Sequence, residues 1–120
     1  MRRGTQRKTP ITSTDRLLSG PYSTFFPDLI KLDIQGFGIE ALTGAQSVFG
    51  KTEVFIVETS LFQFMPGMPV TREIVTFMYD KGYDLYDITE YLRRPLDGAF
   101  GQVDLAFVKG QGMFRRVSKW

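Results

Sequence analysis

The sequence predicts an α/β fold in which three parallel strands and two crossover helices are followed by a final antiparallel strand. Three observations predict it. Residues 29–34 and 53–58 are short apolar runs without strict polar alternation, the pattern of a strand covered on both faces. Each is followed by a stretch with apolar residues at spacings of three and four, as an amphipathic helix requires. The order strand, helix, strand, helix, strand, loop, strand makes the first three strands parallel through right-handed crossovers.

Taken in order, residues 1–10 read as a disordered basic tail, 11–110 as the folded domain and 111–120 as a second basic tail. A short segment over 11–18 is broken by Gly20-Pro21. The first strand, 29–34, is apolar except for Lys31, whose stem can lie along the sheet. A helix over about 38–49 places Ile39, Leu42, Ala45, Val48 and Phe49 on one face, and Gly50 ends it. The second strand, 54–58, leads into a loop rich in Phe, Met, Pro and Gly. The next helix, about 71–81, starts with Thr71 as a possible cap and Glu73 in its first turn, and Gly82 stops it. Strand 83–88 and strand 103–109 are joined by a connection too long for a tight hairpin. In the last strand Val103, Leu105 and Phe107 alternate with Asp104 and Ala106, and with no helix before it this strand is expected to be antiparallel. Ile30, Leu32, Ile34, Leu42, Phe55, Val57, Ile74, Met78, Leu85 and Leu105 form the expected core.

Composition narrows the chemistry. The 120 residues contain no cysteine and no histidine, so disulfides, thiolate metal sites and an imidazole base are excluded within the chain. Acid–base work falls to carboxylates. No apolar run is long enough to cross a bilayer, and no apolar stretch follows the first charges as a signal peptide would need. These features point to a cytoplasmic protein with no membrane partner. The net charge of +2 hides a division: Arg2, Arg3, Arg7 and Lys8 begin the chain, and Arg115, Arg116 and Lys119 end it. Residues 9–114 carry 8 positive against 13 negative side chains, a net −5, which argues against a nucleic-acid partner.

Open α/β sheets bind ligands beyond the carboxyl ends of their strands. Asp33 and Glu58 end consecutive strands at that edge, roughly 5 Å apart at the backbone if the strands pair directly. Such carboxylates can accept a proton or hold a metal. Asp33 can equally accept backbone N–H bonds from the Gly36 turn, and Glu58 can be a solvated acid.

The run Asp28-Leu29-Ile30-Lys31-Leu32-Asp33-Ile34-Gln35-Gly36-Phe37-Gly38-Ile39-Glu40-Ala41-Leu42-Thr43-Gly44-Ala45 resembles the fourth strand and following helix of the FkbM family of S-adenosylmethionine-dependent methyltransferases. The family pattern there is Ile-Lys-Ile-Asp-Val-Glu/Gln-Gly-X-Glu-X-Glu-X-Leu-X-Gly-Ala. Residues 11–18 and the run from Arg93-Arg94-Pro95-Leu96-Asp97-Gly98 to Gln102-Val103-Asp104-Leu105 are also similar to family segments, so the resemblance spans residues 11 to about 109.

The resemblance implies the C-terminal half of a Rossmann-like methyltransferase sheet, with S-adenosylmethionine as donor and a sugar or small-metabolite hydroxyl as acceptor. It favours a catalytic role for Asp33; the strand-end position adds Glu58 as a second catalytic carboxylate and Gln35 and Ser60 as acceptor contacts, and Arg93 and Arg94 either contact the acceptor or form a polar surface connection. The arginines suit an acidic or sugar-phosphate acceptor. The family's glycine-rich donor loop and ribose-binding acid lie upstream of this run. No cofactor-binding residue and no metal ligand is therefore assigned in this chain, which is expected to be an acceptor-side fragment inactive alone. One departure is Gly38, where the family has Glu; Glu40 keeps the second acidic position. The alternative expectation is a non-catalytic α/β module that associates, with itself or a partner, through the exposed edge of the 29–34 strand.

Overall fold

The structure, a computed structural model, describes residues 4–120. Its four-stranded mixed sheet has β1 (Leu29–Leu32), β2 (Val54–Ser60), β3 (Tyr83–Arg93) and β4 (Phe100–Lys109), in the order β1-β2-β4-β3. Three helices accompany it: α1 (Thr14–Ser19), α2 (Gly38–Thr43) and α3 (Thr71–Asp80). Residues 4–10 are exposed and carry no regular secondary structure, and the first residues of the expected basic tail, 1–3, lie outside the described residues.

The α/β class holds, but the expectation of three mutually parallel strands does not. Only β1 and β2 form a parallel pair. β4 lies between β2 and β3 and is antiparallel to both. β3, antiparallel to an antiparallel neighbour, runs in the expected direction without a parallel partner. The connection between β3 and β4 explains this. Both strands extend further than their apolar patterns suggest, to Arg93 and from Phe100, leaving only residues 94–99 as a turn. A hairpin of that kind places β4 directly beside β3, so its second edge is the one that reaches β2.

The first crossover helix is also shorter than its periodicity predicts. α2 ends at Thr43, and residues 46–48 form a separate 3₁₀ turn. The cause is α1. The Asp15 carboxylate accepts from Gln46 N–H and Ser47 N–H, each at 2.8 Å, and from Ser47 Oγ at 2.6 Å. Those N–H groups are thereby withdrawn from the helical ladder. Burial raises the Asp15 pKa, but the Ser47 and Gln46 hydrogen bonds outweigh it and hold the carboxyl below its ordinary value. Gly50, at φ +82°, turns the chain into β2. In α3 the cap differs from expectation: Val70 precedes the helix, its N–H donates to the Glu73 carboxylate, and Thr71 is the first helical residue.

α2 and α3 bury one face of the sheet. Leu42, Val48, Ile74 and Met78 pack on Phe55, Val57, Leu105 and Phe107. Phe49, Phe55 and Tyr83 interlock beneath them, with Phe55 stacked on Phe49 at 5.4 Å and edge-on to Tyr83 at 5.0 Å. The Tyr83 hydroxyl donates to Thr52 O at 2.6 Å and accepts from Gly50 N–H at 3.0 Å, so its buried oxygen is satisfied as both donor and acceptor. Two expected core residues lie outside. Ile34, 40% exposed, follows the end of β1, and Leu85, 46% exposed, lies on β3. Ile30 and Leu32 are half-buried.

The two sheet edges differ. β3 has three register irregularities, between Leu85 and Asp87, Ile88 and Glu90, and Leu92 and Arg93. Bulges and acidic residues blunt such an edge against pairing. The outer edge of β1 is regular and carries no strand among the described residues.

Candidate active site

β1 hands the chain to a tight turn in which Gly36 adopts φ +86°, a conformation that L side chains rarely adopt. A Cβ there would also stand 2.9 Å from Met68 Cγ, so the loop after β2 closes directly over the turn. Gln35 has φ +26° and is the one described non-glycine residue with positive φ. The turn brings the Gln35 N–H close enough to the Glu58 carboxylate to favour its ionised form. In this arrangement Asp33 follows Leu32, whose register partner is Val57, and so comes beside Glu58.

Glu58 lies within β2, two residues before its end, and is the first of a cross-strand row. Its partner on β4 is Asp104, and the partner of Asp104 on β3 is Glu90. Residues in register share a sheet face. Asp33, Glu58, Asp104 and Glu90 therefore form a line of four carboxylates on the face opposite the helices. They line a cavity of about 190 Å³ together with Tyr91, Leu92 and Gln102. Asp104 is 9% exposed, and Lys31 Nζ reaches it across β2 at 3.6 Å. Lys31 does extend its stem along the sheet, with this end point.

The row has an electrostatic consequence. Burial, a hydrogen bond to Asp33, and the negative charges of Asp33 and Asp104 push the Glu58 carboxyl up from 4.5 to about 7, against the Gln35 N–H, which pulls it down. Like charges this close cannot both ionise freely, so the pair holds a proton near neutrality. Folding thus takes up a proton between about 4.5 and 7. Stability is unaffected by Glu58 below that window, falls as pH rises through it, and is level above it. Glu58→Gln is expected to be more stable than the parent at pH 8 by about 0.5–1 kcal/mol, less than the full shift implies because the group remains in contact with solvent. The difference should shrink towards zero at pH 4. Urea unfolding at several pH values reads it, and a pH-independent difference would contradict the coupling.

The other predicted contact residues are dispersed. Ser60 is buried at the end of β2, opposite Gln102, and does not line the cavity. Arg93 and Arg94 line a neighbouring cavity of about 220 Å³ that shares Leu92 and Gln102 with the carboxylate cavity. Both guanidinium groups are already engaged. Arg94 makes a bidentate pair with Asp97, at 2.8 and 2.6 Å, and lies 3.8 Å over the Phe62 ring. Arg93 donates to Gly98 O at 2.8 Å and lies 4.2 Å over Phe100. They build the hairpin turn and hold the aromatic loop to it. Lys31, Glu90, Tyr91, Gln102 and Asp104 were not among the expected site residues. For Asp104 a signal existed: a lone acid in an otherwise apolar strand, on the face opposite Leu105.

A family model described as Methyltransferase FkbM domain matches residues 3–85, well over half of the chain, from before α1 into β3. No curated protein and no solved structure matches the chain.

Proposed function

This chain belongs to the FkbM methyltransferase family, and from that premise we propose that it carries the acceptor side of an S-adenosylmethionine-dependent O-methyltransferase acting on a sugar or small-metabolite hydroxyl. The observation that carries this reading is the Asp33–Glu58 pair, a carboxyl group poised near neutrality in a cavity at the ligand edge of the sheet. A base works best when its pKa lies close to the operating pH. Glu58 accepts the acceptor's hydroxyl proton, and the neighbouring Asp33 carboxylate favours its staying there. Tyr91 and Gln102 orient the acceptor, and the loop over Gly36 limits water. S-adenosylmethionine, when bound, supplies the electrophilic methyl group. The acidic lining fits the positive charge of its sulfonium, while its adenosine is held mainly by groups outside these 120 residues. The cellular setting proposed is the cytoplasm; among the described residues no helix is long and apolar enough to cross a membrane. A second reading, association through β1, draws on the open edge of that strand.

One set of measurements separates these readings. Calorimetric titration of S-adenosylmethionine into the 120-residue chain should give no tight binding, and light scattering on the same sample should report a monomer. Fusing residues 11–120 behind the donor-binding half of another FkbM enzyme should then restore transfer of a labelled methyl group to sugar hydroxyls. Micromolar donor binding with turnover by the chain alone would overturn the division of the site. Stable oligomers combined with a donor-binding but inactive fusion would favour the association reading.

A further inference from the structure

The carboxylate row contains one cation, and its position is specific. Glu58 is faced by Asp33 from the turn after β1, by Asp104 from β4 and, beyond it, by Glu90 from β3, with the Gln35 N–H as the neutral donor. Among the described residues Lys31 is the one cation within ion-pair distance of any of these four acids. It stands two residues before Asp33 on the same side of β1, and its half-exposed side chain passes over β2 to Asp104.

We infer that Lys31 is a positioning residue for Glu58: by partly offsetting the Asp104 charge across β2 it sets how readily Glu58, beside Asp33, gives up its proton. This inference rests on the acid–base role proposed above and adds the residue that tunes it. With Lys31 in place, the Asp104 charge that disfavours ionised Glu58 is partly offset by an ammonium 3.6 Å away. Without it, that charge acts in full beside that of Asp33, and both disfavour ionised Glu58. The base would then stay protonated at neutral pH. Removing the Asp104 charge instead acts in the opposite direction. The consequence for an active methyltransferase is a rising acid limb of the pH–rate profile whose midpoint follows Lys31 and Asp104 together.

The test is titration of the side-chain carboxyl carbons by NMR on the isotopically labelled 120-residue chain. Lys31→Met should raise the Glu58 midpoint by about 0.5–1 unit, and Asp104→Asn should lower it by a similar amount. Lys31→Arg, which keeps the charge, should restore the parent midpoint to within about 0.2 unit. In the Asp104→Asn background, Lys31→Met should move the midpoint by less than half of its effect in the parent. An unmoved midpoint in folded Lys31→Met overturns the inference, and so does an undiminished shift in the Asp104→Asn background. If Lys31→Met does not fold, Asp104→Asn still decides, because a midpoint that fails to fall removes Asp104 from the circuit. The readout needs no acceptor. An unmoved midpoint therefore leaves the methyl-transfer reading standing, and a failed transfer assay leaves the titration unchanged.

Discussion

Truncating Phe55 to alanine is expected to cost about 3–5 kcal/mol, enough to remove most of the stability available to a domain of this size. Phe55 has no solvent exposure, lies on β2 in the interior of the sheet, and touches the two rings that close the far end of the core. The loss combines the transfer free energy of the ring with an unfilled cavity, since Phe49 and Tyr83 cannot both collapse into it. Tyr83 is tied to Thr52 O and Gly50 N–H, and leaving those bonds would strand buried polar groups. Leu85→Ala supplies the contrast. Both residues read as core from their strand patterns, yet Leu85 is 46% exposed, and its truncation should cost less than about 1 kcal/mol. Urea unfolding of the two variants checks the pair, and comparable losses would mean that the packing described for β3 is wrong.

Leu85 also illustrates what the sequence conceals. Strand patterns report that a residue alternates or is apolar, not whether a helix lies over it. α2 and α3 cover β1, β2 and the near half of the hairpin, and nothing in the Tyr83–Arg93 pattern says where that cover ends. The same limit hid the sheet order. The apolar runs and crossover spacing place β1, β2 and α3, because each is specified by residues near it, whereas the end of α2 is set by Asp15 from a distant part of the sequence. β4's position between β2 and β3 depends on pairing across nearly fifty residues, as between Val57 and Leu105. That Asp33 and Glu58 come side by side follows from local marks, the apolar runs before them and the glycine turn after Asp33. Asp104 and Glu90 join them only through registers set by hairpin bulges, and no local signal encodes a register. Arg93 and Arg94 read as free anion contacts for a related reason. Their partners, Asp97 and Gly98, are close in sequence, but the turn that presents those groups exists only once the hairpin forms.

Asp33→Asn separates a catalytic carboxylate from a turn-capping one. The substitution keeps shape and removes charge, and in the fusion enzyme it should reduce turnover by about 10²–10⁴-fold, the range expected when a positioned acid–base group is lost. Donor affinity should change little, because the proposed division of the site puts the donor mainly outside this chain. The pH dependence supplies an independent signature. Asp33 raises the Glu58 pKa both through its hydrogen bond and through its charge. With asparagine in its place, Glu58 should fall from about 7 towards the ordinary carboxylate range, and the midpoint of the acid limb of the residual activity should move down with it. The residual enzyme is thus slower at every pH and yet reaches its plateau at lower pH, because the base ionises more readily and is weaker. A turn-capping role predicts neither effect: it predicts lost stability with an unmoved profile. Equal losses of donor binding and turnover would assign Asp33 to the donor side. A profile that shifts upward would show that Asp33 does not repel a proton-deficient Glu58, and the shared-proton mechanism would fail with it.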